Sequence, residues 1–82
     1  MFIVNQGGEI INLYCISLIK IDGKSIVAYP KIENMGYYLY EGSDENVLKY
    51  VYKEIMISIE KEVKILYISD VIWKHFEKNG NH

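Results

Sequence analysis

Apolar residues in the first half of the chain come in short runs split by turn-forming clusters; after Gly42 they come at helical spacing. Phe2-Ile3-Val4 gives way to Gln6-Gly7-Gly8, and Glu9 to Asn12 resumes an apolar stretch. Leu13 to Ile21 runs almost without charge, Asp22-Gly23 interrupts it, and Lys24 to Pro30 is apolar again. Short runs rich in Ile, Val and Tyr, bounded by Gly, Asn and Asp, read as strands. Asp-Gly between two of them predicts a hairpin turn with φ > 0. Pairing Ile21 with Lys24 places Ile19 opposite Ile26 and Ser17 opposite Ala28. On the other face it places Leu18 opposite Val27 and Ile16 opposite Tyr29. Both faces are then mostly apolar, so either both are covered or one is a docking surface. Pro30 ends the ladder or marks an edge. Asn34-Met35-Gly36 is the next turn. Tyr37 to Glu41 is the next strand, with Tyr37 and Leu39 on one face and Tyr38 and Tyr40 on the other.

Gly42 breaks the alternation. Ser43 is a good N-cap, and Asp44 and Glu45 in the first turn complement the helix dipole. The helix runs to about Lys61 on a stripe of Leu48, Val51, Tyr52, Ile55, Met56, Ile59 and Val63, which is one helical face. Glu45 and Lys49 pair at i, i+4. Lys64 to Ile68 reads as a last strand. Ser69 or Asp70 caps a terminal helix to about Lys78, and Gly80 and the polar end fray. The pattern predicts one α+β domain over residues 1–82: a small antiparallel sheet of about five strands, in its specific form a partly closed barrel, packed by one long helix, with a short C-terminal helix.

Composition narrows the function more than it names it. The chain has no arginine; nine lysines are offset by eleven acids, for a net charge of −2. A nucleic-acid footprint needs clustered positive charge, which this balance argues against. Heavy use of Ile, Lys, Asn and Tyr is the bias of an AT-rich genome. The single cysteine, Cys15, cannot form an internal bridge and reads as a buried thiol in a reducing cytoplasm. The apolar start has no basic n-region, and no run is long enough to span a bilayer. Eight tyrosines stand against this thin chemistry. Tyr offers a large, stiff contact surface with a polar tip, which suits binding to other proteins.

Catalytic clusters are not legible. His82 is terminal, and His75 lies beside Lys74 with Glu77 nearby, while Asp70, five residues away, does not share its helical face; a catalytic His needs an oriented partner and a nucleophile. No Cys/His spacing fits zinc. Glu9, Asp22, Glu33 and Glu41 read as turn or strand-end solvation. Gln6-Gly7-Gly8 lacks the Lys-Ser/Thr and the helix of a phosphate loop. The informative residues are instead apolar ones in unexpected places. Ile57 falls opposite the buried helix face, with Tyr50 beside it; they are ordinary isolated exposed apolar residues, or are covered by the terminal helix, or are contacts for a partner. Trp73, in a terminal segment too apolar for a tail, sits at the rim; Trp is enriched among interface hot spots. Tyr38 and Tyr40 form the third candidate, on the open side of the sheet.

The opening Met1-Phe2-Ile3-Val4-Asn5-Gln6 and Ile10-Ile11-Asn12 resemble the start of short uncharacterised proteins carried by phages and prophages of low-GC Gram-positive bacteria. Tyr40-Glu41-Gly42-Ser43-Asp44-Glu45 is similar to their strand-to-helix junction, Lys53-Glu54-Ile55 to their mid-helix segment, and Lys64-Ile65-Leu66-Tyr67-Ile68 to their closing strand. Asp70 to Lys78, with Trp73 and Phe76, departs from that pattern. The resemblance implies a curved antiparallel sheet packed by a helix and carries no activity with it.

These readings converge on a non-enzymatic, cytoplasmic protein-binding module without cofactor or metal. It acts by occupying a surface of a host or defence protein, an anti-CRISPR or other anti-defence inhibitor being one case, or by forming a homodimer. Tyr50, Ile57, Trp73, Tyr38 and Tyr40 are the expected contacts. The alternative is a small-ligand or nucleotide-signal binder, with a pocket lined by Tyr29, Tyr38 or Tyr40 and converging lysines. A small enzyme or toxin would require His75 buried beside an acid in a cleft. A single-stranded nucleic-acid binder ranks last.

Overall fold

The computed structural model describes residues 1–32 and 35–79; Glu33, Asn34, Gly80 and His82, named above in turns and a frayed end, lie outside them. The strands are β1 (Phe2–Val4), β2 (Ile10–Asn12), β3 (Ile16–Asp22), β4 (Ser25–Pro30), β5 (Tyr37–Glu41) and β6 (Ile65–Tyr67); the helices are α1 (Glu45–Glu60) and α2 (Ile68–Asn79). The fold is α+β, as the pattern predicts. Its six strands are divided between two three-stranded sheets, ordered β2-β1-β6 and β3-β4-β5. The division falls at a single 3-10 turn, Leu13–Cys15, where a continuous strand was expected. Asn12 causes it: its side chain accepts a hydrogen bond from the Tyr14 amide at 3.0 Å, a local bond that competes with the ladder. The turn leaves the Cys15 thiol exposed, not buried as expected. The closing strand β6 runs parallel to β1, the one parallel pair among the described residues.

The β3-β4 hairpin forms two residues out of the expected register. Asp22 pairs with Ser25, Ile21 with Ile26 and Ile19 with Ala28, so the loop is Gly23-Lys24. Gly23 has φ of 64° and Lys24 is not left-handed, as in a type II′ turn with Gly first. A slip of two keeps every side chain on its expected face. In β5 the expectation fails: Leu39 and Tyr40 are both buried, and Tyr38 is exposed. The register with β4 shifts between Ile26 and Val27, which face Tyr40 and Tyr38, so Leu39 is the extra residue of a bulge. Tyr38 and Tyr40 therefore do not share a face. Gly42 has no side chain because Tyr40 lies over it; a methyl there would run into the phenol.

The bulge turns two successive carbonyls to the outer edge of β5, and the corner after β1 satisfies both. The Gln6 amide donates to Leu39 O at 3.0 Å, and Asn5 Nδ2 donates to Tyr38 O at 2.9 Å. Gln6 Oε1 accepts from the Glu41 amide at 2.9 Å. Asn5 is buried and also holds its own turn, accepting from the Glu9 amide at 2.7 Å and donating to Glu9 Oε1 at 3.0 Å. This corner joins the two sheets.

Asp44, not Ser43, caps α1, its carboxylate accepting from the amides of Asn46 and Val47 at 2.9 and 3.3 Å. Glu45 and Lys49 pair at 3.1 Å as their spacing predicts. The helix closes with Glu62 N–H to Ile59 O and Val63 N–H to Ser58 O, the Schellman pattern. Glu62 takes the left-handed position, at φ 56°, that glycine usually fills. Val47, Leu48, Val51 and Ile55 face a core completed by Ile3, Ile11, Ile26, Ala28, Leu39, Tyr40, Ile68 and Val71. Met56, expected in the stripe, is exposed, and Val47, not expected, is buried. The buried face is rotated toward Tyr50 because α2 packs on that side, with the Tyr50 and His75 rings 4.9 Å apart. α2 starts at Ile68, directly after β6 and ahead of its expected cap.

Candidate partner-binding surfaces

The pairing of β1 with its two neighbours sorts its sheet into two faces. Ile3, Ile11 and Leu66 are in register and point into the core. The other face carries two rows, Ile10–Val4–Tyr67 and Asn12–Phe2–Ile65. Phe2, Ile65 and Tyr67 are exposed, Val4 is half-buried, and Ile10 is 71% exposed. No side chain in these rows is charged. A sheet face normally alternates apolar-in with polar-out; this one is apolar on both sides. Two apolar faces were expected of β3 and β4, not of this sheet. The signal was present, since Phe2-Ile3-Val4 and Ile65-Leu66-Tyr67 offer no charged residue to turn outward.

The five residues expected to make contacts are scattered. Trp73 is 68% exposed, and its Nε1 donates to Glu77 Oε2 one helical turn on, at 3.0 Å. Tyr38 is 59% exposed on β5. Tyr50 and Ile57 are half-buried; Tyr50 lies against His75 of α2, so the terminal helix supplies its cover. Tyr40 is only 6% exposed and belongs to the core. Its phenol is pushed above the usual 10.0, first by burial and then by the nearby Asp44 carboxylate.

His75 sits between the rings of Tyr50 and Phe76, at 4.9 and 5.4 Å. Among the described residues no group of His, Cys, Asp or Glu could hold a metal ion, and no helix is long and apolar enough to cross a membrane. Of the tyrosines expected to line a ligand pocket, Tyr40 is buried in the core and Tyr38 is exposed, so these two do not converge. The Lys20 ammonium lies 5.5 Å from the Tyr29 ring centre. A cavity of about 460 Å³ lies between Met1, Leu13, Tyr14, Ile59 and Lys64.

No family model, curated protein or solved structure matches this chain.

Proposed function

We propose that this chain is a small non-enzymatic protein-binding module that acts by occupying an uncharged, apolar surface of another protein. The observation that carries the reading is the outer face of the β2-β1-β6 sheet. Five apolar side chains in two registered rows stand without a charge among them. Covering such a face returns about 25 cal/mol per Å² of apolar area. Contiguous apolar patches on small proteins mark interaction sites more often than chance exposure. Trp73 and Tyr38 lie outside these rows and contribute as separate contacts. The resemblance of residues 1–68 to phage and prophage proteins supports a mobile-element origin, with a host or defence protein as the target. Inhibition of that kind needs only a complementary patch that blocks access.

The test is affinity capture from host lysate with the wild-type chain and an Ile10→Asp/Tyr67→Asp double variant. Both residues are exposed, so circular dichroism should show the fold intact. A partner held by the wild type and lost by the double variant supports the reading. A partner held equally by both removes the sheet face from the function.

A further inference from the structure

We propose that β3 is a self-pairing edge: two copies of this chain join through antiparallel β3 strands about a two-fold axis at Ile21. Their β3-β4-β5 sheets become one sheet of six strands. This does not rest on the apolar face of the other sheet.

Four observations lead here. First, β3 is the longest strand, seven residues, and among the described residues it pairs only with β4. A free edge of that length is a template for another strand. The other edge of the same sheet differs: β5 is capped by Asn5 and Gln6.

Second, the hairpin decides which backbone groups are free. A two-residue loop is closed by a hydrogen-bonded pair, here Asp22 and Ser25, and pair types alternate from there. Leu18, Lys20 and Asp22 therefore spend their backbone groups on β4. Ile19 and Ile21 turn their N–H and C=O to the open side.

Third, only three axes let outward residues meet outward residues. An axis at Lys20 sets lysine against lysine. An axis at Ile19 sets Lys20 against apolar Leu18. An axis at Ile21 sets Lys20 opposite Asp22 of the second copy, twice, in the non-hydrogen-bonded pairs where side chains come closest. Opposite charges in such pairs stabilise a sheet, and like charges destabilise it. A lysine on an edge strand ordinarily repels a second edge; Asp22 two residues on cancels that repulsion in this register alone.

Fourth, Ile21 is 39% exposed, and the axis buries it against its own copy. The strand overlap about this axis is three residues, Lys20 to Asp22, with Ile19 opposite Gly23 of the other copy's turn, so the joint falls far short of the roughly 800 Å² per partner of a standard interface. The pair is therefore in fast exchange and depends on concentration.

The experiment is light scattering across a dilution series on the wild type, on Lys20→Asp, on Asp22→Lys, and on an equimolar mixture of the two variants. Both residues are exposed, and circular dichroism checks that each variant is folded. In the wild type the mass should rise from 9.6 kDa toward twice that value with concentration. Each variant alone should stay at the monomer mass, because like charges then face across the axis. The mixture should recover the dimer, because every acid at these two positions of one copy then faces a lysine of the other. Three results overturn the proposal: a wild type that stays monomeric to millimolar concentration, single variants that dimerise as well as the wild type, or a mixture that does not recover.

Discussion

The two edges of the β3-β4-β5 sheet are finished in opposite ways. At β5 a bulge turns the carbonyls of Tyr38 and Leu39 outward, and a buried asparagine and the next residue's amide meet both. At β3 a longer run turns the backbone of Ile19 and Ile21 outward with no strand of this chain beside it among the described residues. The same sheet thus has one edge tied into the fold and one left available. Backbone groups behave alike wherever they sit, so the difference comes from what surrounds them. Asn5 and Gln6 follow a short strand of the other sheet and reach β5. Among the described residues, no corner of the other sheet reaches β3 in the same way.

The sharpest way to break the tied edge is Asn5→Ala. It leaves Tyr38 O and the Glu9 amide without their side-chain partners in a part-buried corner, and the unfolding free energy should fall by about 2 kcal/mol in urea titrations. Gln6→Ala removes only the acceptor for the Glu41 amide, which is exposed to water, so the loss should be about 1 kcal/mol. If Gln6→Ala costs more than Asn5→Ala, the corner is held by the second residue and not the first.

Tyr40, on the tied strand, adds a smaller effect that depends on pH. Its folded-state phenol titrates above the usual 10.0, so the folded protein keeps a proton that the unfolded chain gives up. Its contribution is complete below the unfolded value and is lost as pH rises through and beyond 10.0. Tyr40→Phe should flatten part of the alkaline decline in melting temperature. An unchanged alkaline decline would mean that other tyrosines set it. At the open edge, Lys20→Asp should change monomer stability by no more than about 0.5 kcal/mol, because the lysine touches only the Tyr29 ring from the outside. A larger loss in dilute protein would show that the edge is part of the monomer's own packing.

The elements were legible where one kind of local chemistry dominates. The existence of α1, the Glu45–Lys49 pair and a tight turn at Gly23 follow from spacing and from glycine, while the hairpin register and the exact buried face of α1 do not. What escaped was set by neighbours distant in sequence. Tyr40 looked like a surface residue because strict alternation puts it with Tyr38, and a bulge visible only against β4 reverses that. Tyr50 looked uncovered because the docking direction of α2 is not written in either helix alone. The helix cap moved from Ser43 to Asp44, a choice between two good capping residues that backbone dihedrals decide. The apolar face of β2-β1-β6 required knowing that β6 returns beside β1, a long-range parallel pairing. The asymmetry of the two edges has the same origin, since Asn5 meets Tyr38 across thirty-three positions.

Amide hydrogen exchange resolved by residue, at low and at high protein concentration, tests the contrast between the two edges most directly. In dilute protein the amides of Gln6 and Glu41, at the tied edge, should be protected, and those of Ile19 and Ile21 should exchange freely. In concentrated protein the Ile21 amide should become protected, while Gln6 and Glu41 hold their rates and Ile19, opposite the other copy's Gly23 turn, changes little. Protection of Ile19 and Ile21 in dilute protein, equal to that of Gln6 and Glu41, would contradict the account: the β3 edge would then be closed by its own chain.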